Sequence, residues 1–277
     1  MKKVKINWSR FYLIAVFILL YLPIFYLIFY SFNAGGTMTR FTGITLEHYQ
    51  AVFSDKRLIG IVLNTFMLAF LSALIATVIG TFGAMMIYYT RKRNYRNALL
   101  SLNNILMVSP DVIIGASFLI FFTFLGLSLG FSSVLLSHVA FSIPIVVLMV
   151  LPKLKEMNDS MLDAAHDLGA NNWTVIRKVI LPSITPGIIA GYFMAFTYSL
   201  DDFAVTFFVT GNGFTTLSVE IYSRARQGVS LEINALSALL FLFSMLLVAG
   251  YYMISQGNLT KSQKKRRKEH REAVDSL

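Results

Sequence analysis

Charge is scarce in this chain. Only 14% of its 277 residues are Asp, Glu, Lys or Arg, against about a quarter in a soluble domain. Mean hydropathy is +0.65. No charged side chain interrupts 11–39, 58–90, 97–110, 112–152, 183–200 or 233–260. Several of these runs exceed the roughly 20 apolar residues that a membrane-spanning helix needs, which excludes a soluble fold. Cysteine is absent, so disulfides, thiolate nucleophiles and Cys-ligated metals are excluded. The four histidines, His48, His138, His166 and His270, are scattered without ligand spacing. No Gly-x-x-x-x-Gly-Lys-[Ser/Thr] occurs, so the chain is not expected to hydrolyse nucleotide itself.

What is present is an all-α integral membrane pattern. The net charge is +10, yet its distribution argues against nucleic acid as a partner. Lys and Arg gather at 2–10, 91–96, 153–178 and 261–271, each time beside an apolar run, as they do at the cytoplasmic ends of membrane helices. The first apolar stretch is too long for a signal peptide and no small-residue cleavage site follows, so a retained anchor is expected. Six spans are expected. They are 11–32 with a kink at Pro23, one within 58–90, 98–125 interrupted at Pro110-Asp111, 131–151, 184–208 and 234–254, with a fold-back at Gly126–Gly130. Gly80 and Ala84, one turn apart, form a small-residue pair suited to close helix contact. With the N-terminus inside, 19 of the Lys and Arg residues fall on the cytoplasmic side and 5 outside. Both termini are therefore expected on the cytoplasmic side, with residues 1–10 and a basic tail 255–277 flanking a membrane domain 11–254.

The longest polar interval, within 152–183, reads as folded. Ser160 with Asp163 fits a capping box, so a helix is expected to begin there. Met161, Leu162, Ala165 and Leu168 give it one apolar face. Gly169 stops it, and Asn171 or Asn172 caps a second helix through Trp173, Ile176 and Val179. Pro182 is expected to break the chain. Periodicity alone leaves two readings, a docking surface for a soluble partner or an amphipathic loop lying on lipid.

The residues Asp163-Ala164-Ala165-x-x-x-Gly169, then Val179-x-Leu181-Pro182, keep the spacing of the Glu-Ala-Ala loop. In this the chain resembles the permease subunits of bacterial ABC importers that work with binding proteins. Asp163 stands for the Glu and Val179 for an Ile. Asn64-Thr65, Ser109-Pro110-Asp111, Leu200-Asp201-Asp202-Phe203, Phe207-Phe208-Val209-Thr210-Gly211 and the run from Val229 to Ala235 extend the match. They are similar to the spermidine/putrescine importer permeases, most of all to the second of the two permeases. Phe41-Thr42-Gly43 differs from many relatives, which carry Trp before the Gly. The resemblance implies a type I importer fold with six transmembrane helices. It also implies that residues 155–182 hold the coupling helix, with Asp163, Ala164, Ala165, Gly169, Leu181 and Pro182 meeting the ATPase. The implied partners are a second permease, a dimer of ATPase subunits that holds the ATP and magnesium, an external polyamine-binding protein and membrane lipid. No cofactor or metal is expected on this chain.

Acids inside apolar segments carry the substrate argument, because a carboxylate at mid-bilayer costs about 2.5–3.5 kcal/mol unless it faces a cavity or a partner. Counting about 1.5 Å per residue puts Asp111 about 20 Å and Asp201 and Asp202 about 24–26 Å from the cytoplasmic edge. Neighbours on a helix diverge by about 100°, so Asp201 and Asp202 are not expected to face one point. One reading lines a cation path with Asp111, Asp201 and Asp202, aided by Tyr192, Tyr198 and Phe203. The other pairs these acids with donors of a partner permease. Phe41, Glu220, Arg224 and Arg226 read as gate or binding-protein contacts, or as a solvated loop.

The expected function is that of a permease forming half of a heterodimeric pore for polyamines, or for another cationic or small solute. Two rivals are a stand-alone secondary transporter and an intramembrane aspartyl protease using Asp111 with Asp201 or Asp202. The protease lacks its expected Gly-x-Gly-Asp pattern.

Overall fold

The computed structural model describes residues 8–228 and 230–246. The expectations for residues 1–7, for the end of the sixth span and for the basic tail lie outside the described residues. Every regular element among the described residues is helical. The chain divides into two compact units, Arg57–Ser223 and Met1–Lys56 with Arg224–Leu277.

Helix α1 (Trp8–Tyr30) runs through Pro23, and none of its apolar window is buried. After it, Asn33 gathers the loop. Its Oδ1 accepts from Thr42 N–H at 2.8 Å, and its Nδ2 donates to the carbonyls of Thr37 and Arg40 at 2.8 and 2.9 Å. Helix α2 (Glu47–Ser54) follows.

The larger unit is built on α3 (Lys56–Tyr89), α4 (Arg93–Val108), α5 (Asp111–Phe124), α6 (Phe131–Glu156), α7 (Asp159–Asp167), α8 (Asn172–Val175), α9 (Leu181–Asp201), α10 (Ala204–Val209) and most of α11 (Leu217–Gln227). A last apolar helix, α12 (Leu231–Leu246), is shorter as far as it is described. Among the described residues four helices are long and apolar enough to cross a membrane, and the pair α4–α5 adds a fifth only if the two count as one broken span.

Helix α6 is the centre of this unit. Ala73, Ala76 and Ala84 of α3 pack with Val146, Val147, Val150 and Leu154 of α6 and with Ile184 and Ala195 of α9. The close approach depends on missing side chains. A Cβ on Gly80 would stand 2.7 Å from Val146 Cβ, and one on Gly187 would stand 2.9 Å from the Met149 carbonyl. The Gly80–Ala84 pair thus lies at a helix interface. A second cluster joins Leu68, Ile114, Phe122, Val134 and Phe141 to Val205 and Val209 of α10.

Three expectations need correction. The span 98–125 is interrupted at Pro110-Asp111 as expected, but α4 and α5 meet at 105°, too sharp a bend for one line of counting. Ser109 before Pro110 is extended, at φ −70° and ψ 139°, as the proline ring demands of its predecessor. The depth counted for Asp111 along one straight helix therefore does not apply. Pro182 does not break the chain. A π-helical turn, Ile176–Ile180, precedes it, and the helix is continuous over Asn172–Asp201. The wider turn accommodates a ring that would otherwise crowd the carbonyl four residues back. Nor does the fifth span run unbroken to 208, since Asp202 turns extended at ψ 123° and a new helix starts at Ala204.

Candidate functional site: the polar loop and the helix break

The polar loop is rigidly built. Asn158 Oδ1 accepts from Ser160 N–H at 3.1 Å and caps α7, so the helix starts at Asp159 and Ser160 is not its cap. Asn and Ser are comparable caps. Asn158 takes the role because Met157 just before it packs against the core. At the other end Gly169 has φ +79°. Its N–H donates to His166 O at 2.8 Å, and Ala170 N–H donates to Ala165 O at 3.0 Å. These two bonds define a Schellman stop, which needs a left-handed residue. Asn171 Oδ1 then accepts from Thr174 N–H at 2.8 Å and starts α8.

The expected single apolar face splits in two. Leu162, Ala165, Ala170, Ile176, Val179 and Leu181 pack against the α3–α6–α9 core. Met161, Leu168 and Trp173 point outward, Leu168 with 88% of its surface exposed. Asp163, Ala164, Gly169 and Pro182 are also exposed. The loop is thus capped and packed on the core while three large apolar side chains stay open.

At the far end of α9, Asp202 closes the break. Its Oδ2 accepts from Thr206 N–H at 2.8 Å and from Thr206 Oγ1–H at 2.7 Å. Its Oδ1 accepts from Val205 N–H at 3.3 Å, and its carbonyl accepts from Ser218 Oγ–H at 2.6 Å. The carboxylate thus satisfies first-turn donors of α10, as a helix start requires. Buried His138 of α6 stands behind it. His138 Nε2 is 2.8 Å from Thr206 Oγ1 and 3.5 Å from Asp202 Oδ2. Nδ1 is 2.7 Å from Ser199 Oγ, which is 2.8 Å from Ser72 Oγ of α3. Both imidazole nitrogens thus have a hydroxyl within hydrogen-bond distance. Ser72 Oγ–H also reaches the Ala69 carbonyl at 3.2 Å, and Thr206 Oγ1–H donates to the Asp202 carboxylate. One buried chain of hydrogen bonds therefore ties α3, α6, α9 and α10 together.

Asp201, adjacent in sequence, is exposed. It lies three residues from Tyr198, so the two share a helix face. The Tyr198 hydroxyl donates to Asp111 Oδ1 at 3.0 Å. The result is an open strip with Asp111, Tyr198 and Asp201 along it. Phe203 stacks at 4.4 Å on Tyr222 and at 5.4 Å on Phe207.

Residues 76–265 match the family model of the binding-protein-dependent transport system inner membrane component. The chain belongs to this family. It is 37% identical over 245 residues to the spermidine/putrescine transport system permease protein PotC of Escherichia coli K12, covering 88% of this chain and 92% of that one. To PotC of Haemophilus influenzae it is 36% identical, covering 90% and 99%. To the putrescine transport system permease protein PotI of Escherichia coli K12 it is 33% identical, covering 86% of each. The fold is similar to that of a chain in a bacterial ABC transporter involved in import of the acidic polysaccharide alginate, with TM-score 0.68, 18% identity and coverage of 90% and 95%. A chain of the MetNI methionine ABC transporter gives TM-score 0.59, 21% identity and coverage of 72% and 97%.

In this inner-membrane permease the acids divide by environment. Asp111 and Asp201 are open, whereas Asp202 is taken up inside the chain. Glu220 is buried, holding Arg57 through two bonds of 2.9 and 3.2 Å, while Thr65 Oγ1 accepts from Leu217 N–H at 2.9 Å. Arg224 pairs with Asp55 at 3.1 Å and with Glu232 at 3.5 Å. Phe41 stacks on Phe29 at 4.8 Å. These side chains, read from sequence as gate or binding-protein contacts, also organise their own units.

Sequence reasoning passed over His138, Ser199, Ser72 and Thr206. The signal was available, since His138 is the one imidazole within a charge-free run of 41 residues, 112–152, and such a residue calls for a partner. The serine–histidine–aspartate order does not make a hydrolase, because Ser199 and His138 are sealed and no substrate carbonyl reaches them. Nor do Asp111 and Asp202 form a protease dyad, which needs two carboxylates sharing a proton. Asp111 bonds Tyr198, and Asp202 bonds Thr206.

Proposed function

We propose that this permease subunit passes polyamines into the cell as one half of a two-permease pore, powered by ATPase subunits docked on the polar loop and supplied by an external binding protein. The observation that carries the reading is the open strip Asp111–Tyr198–Asp201, on a chain whose relatives are named for spermidine and putrescine transport. Two carboxylates beside an aromatic ring suit ammonium groups separated by methylenes. Asp202 would shape the path by holding the break rather than by touching solute.

The orientation follows from the basic residues, with both termini and the polar loop in the cytoplasm. ATP and magnesium would then sit in the ATPase, with no cofactor on this chain. The 30-residue helix Asn172–Asp201 begins in the loop and ends at the break. At about 1.5 Å per residue it carries a push over about 45 Å to the acid strip.

Purification from membranes tests this reading. The chain should bring an ATPase with it, and polyamine with binding protein should stimulate ATP hydrolysis. Solute uptake by the chain alone would sink the proposal. The loop makes a second prediction. A Cβ on Gly169 meets nothing within 4 Å, but an L-residue at this backbone angle costs about 1–2 kcal/mol. Gly169→Leu should leave membrane insertion and basal ATP hydrolysis near normal while uptake falls about tenfold or more, as measured on the intact complex. Unchanged uptake would remove the mechanical role from the loop.

A further inference from the structure

Between the end of α3, the first turns of α4 and the end of α6 lies a cavity of about 210 Å³ that the transport reading does not use. Arg96, Asn97 and Lys155 line it together with Tyr88, and Leu100 and Leu151 supply an apolar wall. Lys153, one turn-side neighbour away, is neutralised by Glu156 at 2.6 Å. Arg96 and Lys155 have no carboxylate partner among the described residues. Arg96 and Lys155 are exposed at the cavity mouth, and two cations side by side there suit an anion. The volume is below the roughly 300 Å³ at which drug-sized pockets begin, so the anion is small or only its head enters.

The surroundings indicate which. Helix α4 buries no residue, and Tyr95, Leu102, Ile105 and Val108 stand exposed along it. It bends 105° away from α5, and Arg91, Lys92 and Arg93 precede or open it. An amphipathic helix with basic residues at its start and open apolar side chains is built to lie at a membrane interface. Basic pockets between spans at the cytoplasmic face suit anionic lipid headgroups.

We propose that this cavity binds the phosphodiester headgroup of an anionic membrane phospholipid, with Arg96 and Lys155 at the phosphate and Leu100 and Leu151 against the first apolar atoms below it. The assignment rests on the cytoplasmic placement proposed above, which brings the cavity to the inner leaflet. Bound there, the lipid would brace α4 against the ends of α3 and α6, beside the loop-bearing α7.

Native mass spectrometry tests it on the full-length chain, purified in detergent with the subunits that accompany it and offered phosphatidylglycerol, phosphatidylcholine or inorganic phosphate. Phosphatidylglycerol should be retained in preference to phosphatidylcholine. Arg96→Gln with Lys155→Gln should lower its retention about tenfold or more, while Arg93→Gln, which lies outside the cavity, should not. Where the double variant unfolds, Leu100→Trp fills the space without altering charge and should give the same loss. Equal retention of both lipids, or normal retention in either cavity variant, overturns the proposal. Displacement of phosphatidylglycerol by inorganic phosphate at equal concentration also overturns it, since the site would then be one for free phosphate. Selective lipid retention by a chain that imports nothing supports the site and counts only against the importer reading.

Discussion

Replacing Asp202 by Ala should unfold the C-terminal end of α9 and α10, not merely slow transport. The substitution strips acceptors from Thr206 N–H, Thr206 Oγ1 and Val205 N–H at once, and it leaves His138 facing a void. Each buried donor left unsatisfied costs about 1–3 kcal/mol, and removing one member of a buried charged network typically costs about 3–5 kcal/mol. That is a large share of the roughly 5–15 kcal/mol that holds a folded domain together. Membrane abundance and thermal unfolding in detergent should both fall. Asp202→Asn keeps one carbonyl acceptor and should lose less. His138→Ala should resemble Asp202→Ala, because Ser199 and Thr206 then lose their shared partner. A stable Asp202→Ala protein with defective uptake would instead give Asp202 a direct place on the solute path.

The neighbouring acid makes the contrast sharp, and it shows what sequence spacing can and cannot decide. The 100° step between adjacent helical residues requires Asp201 and Asp202 to diverge. Nothing local says which of them turns inward. That choice is made by His138, 64 residues earlier on α6, and by Thr206 on the next helix. The same limit applies at Pro182. The proline is visible, but the π turn that absorbs it depends on Val179, Ile180 and Ile184 being held by the core. At Pro110 a break was legible, but not its 105° size. Several features set by short-range chemistry were legible, including the Gly169 stop, a cap at Asn171 or Asn172 and the small residues at Gly80 and Ala84, although the first cap fell on Asn158 and not on Ser160. Features set by long-range partners were not, and the buried hydrogen-bond chain through His138 is the clearest case.

Neutralising the open acids should do the reverse of neutralising Asp202. Asp201→Asn and Asp111→Asn each remove a charge that is exposed in the chain, and neither strips a buried donor. Thermal unfolding should stay within about 0.5 kcal/mol of the parent, as for surface changes away from a structural feature. Uptake should respond strongly. A hydrogen bond from an ammonium to a carboxylate contributes about 1.5–3 kcal/mol, which is about 10- to 150-fold at 1.4 kcal/mol per decade. The double variant should lose less than the product of the two single effects, because one extended cation meets both acids and their contributions are not independent. Tyr198→Phe keeps the ring but frees the Asp111 carboxylate from its hydroxyl, so a smaller fall is expected, in apparent affinity before maximal rate. Uptake of labelled spermidine by the intact complex, with ATP hydrolysis followed in parallel, measures all four. Full uptake in both single variants would remove the acid strip from the solute path. The fold and the polar loop would stand, and the cation selectivity would have to come from the binding protein or the second permease.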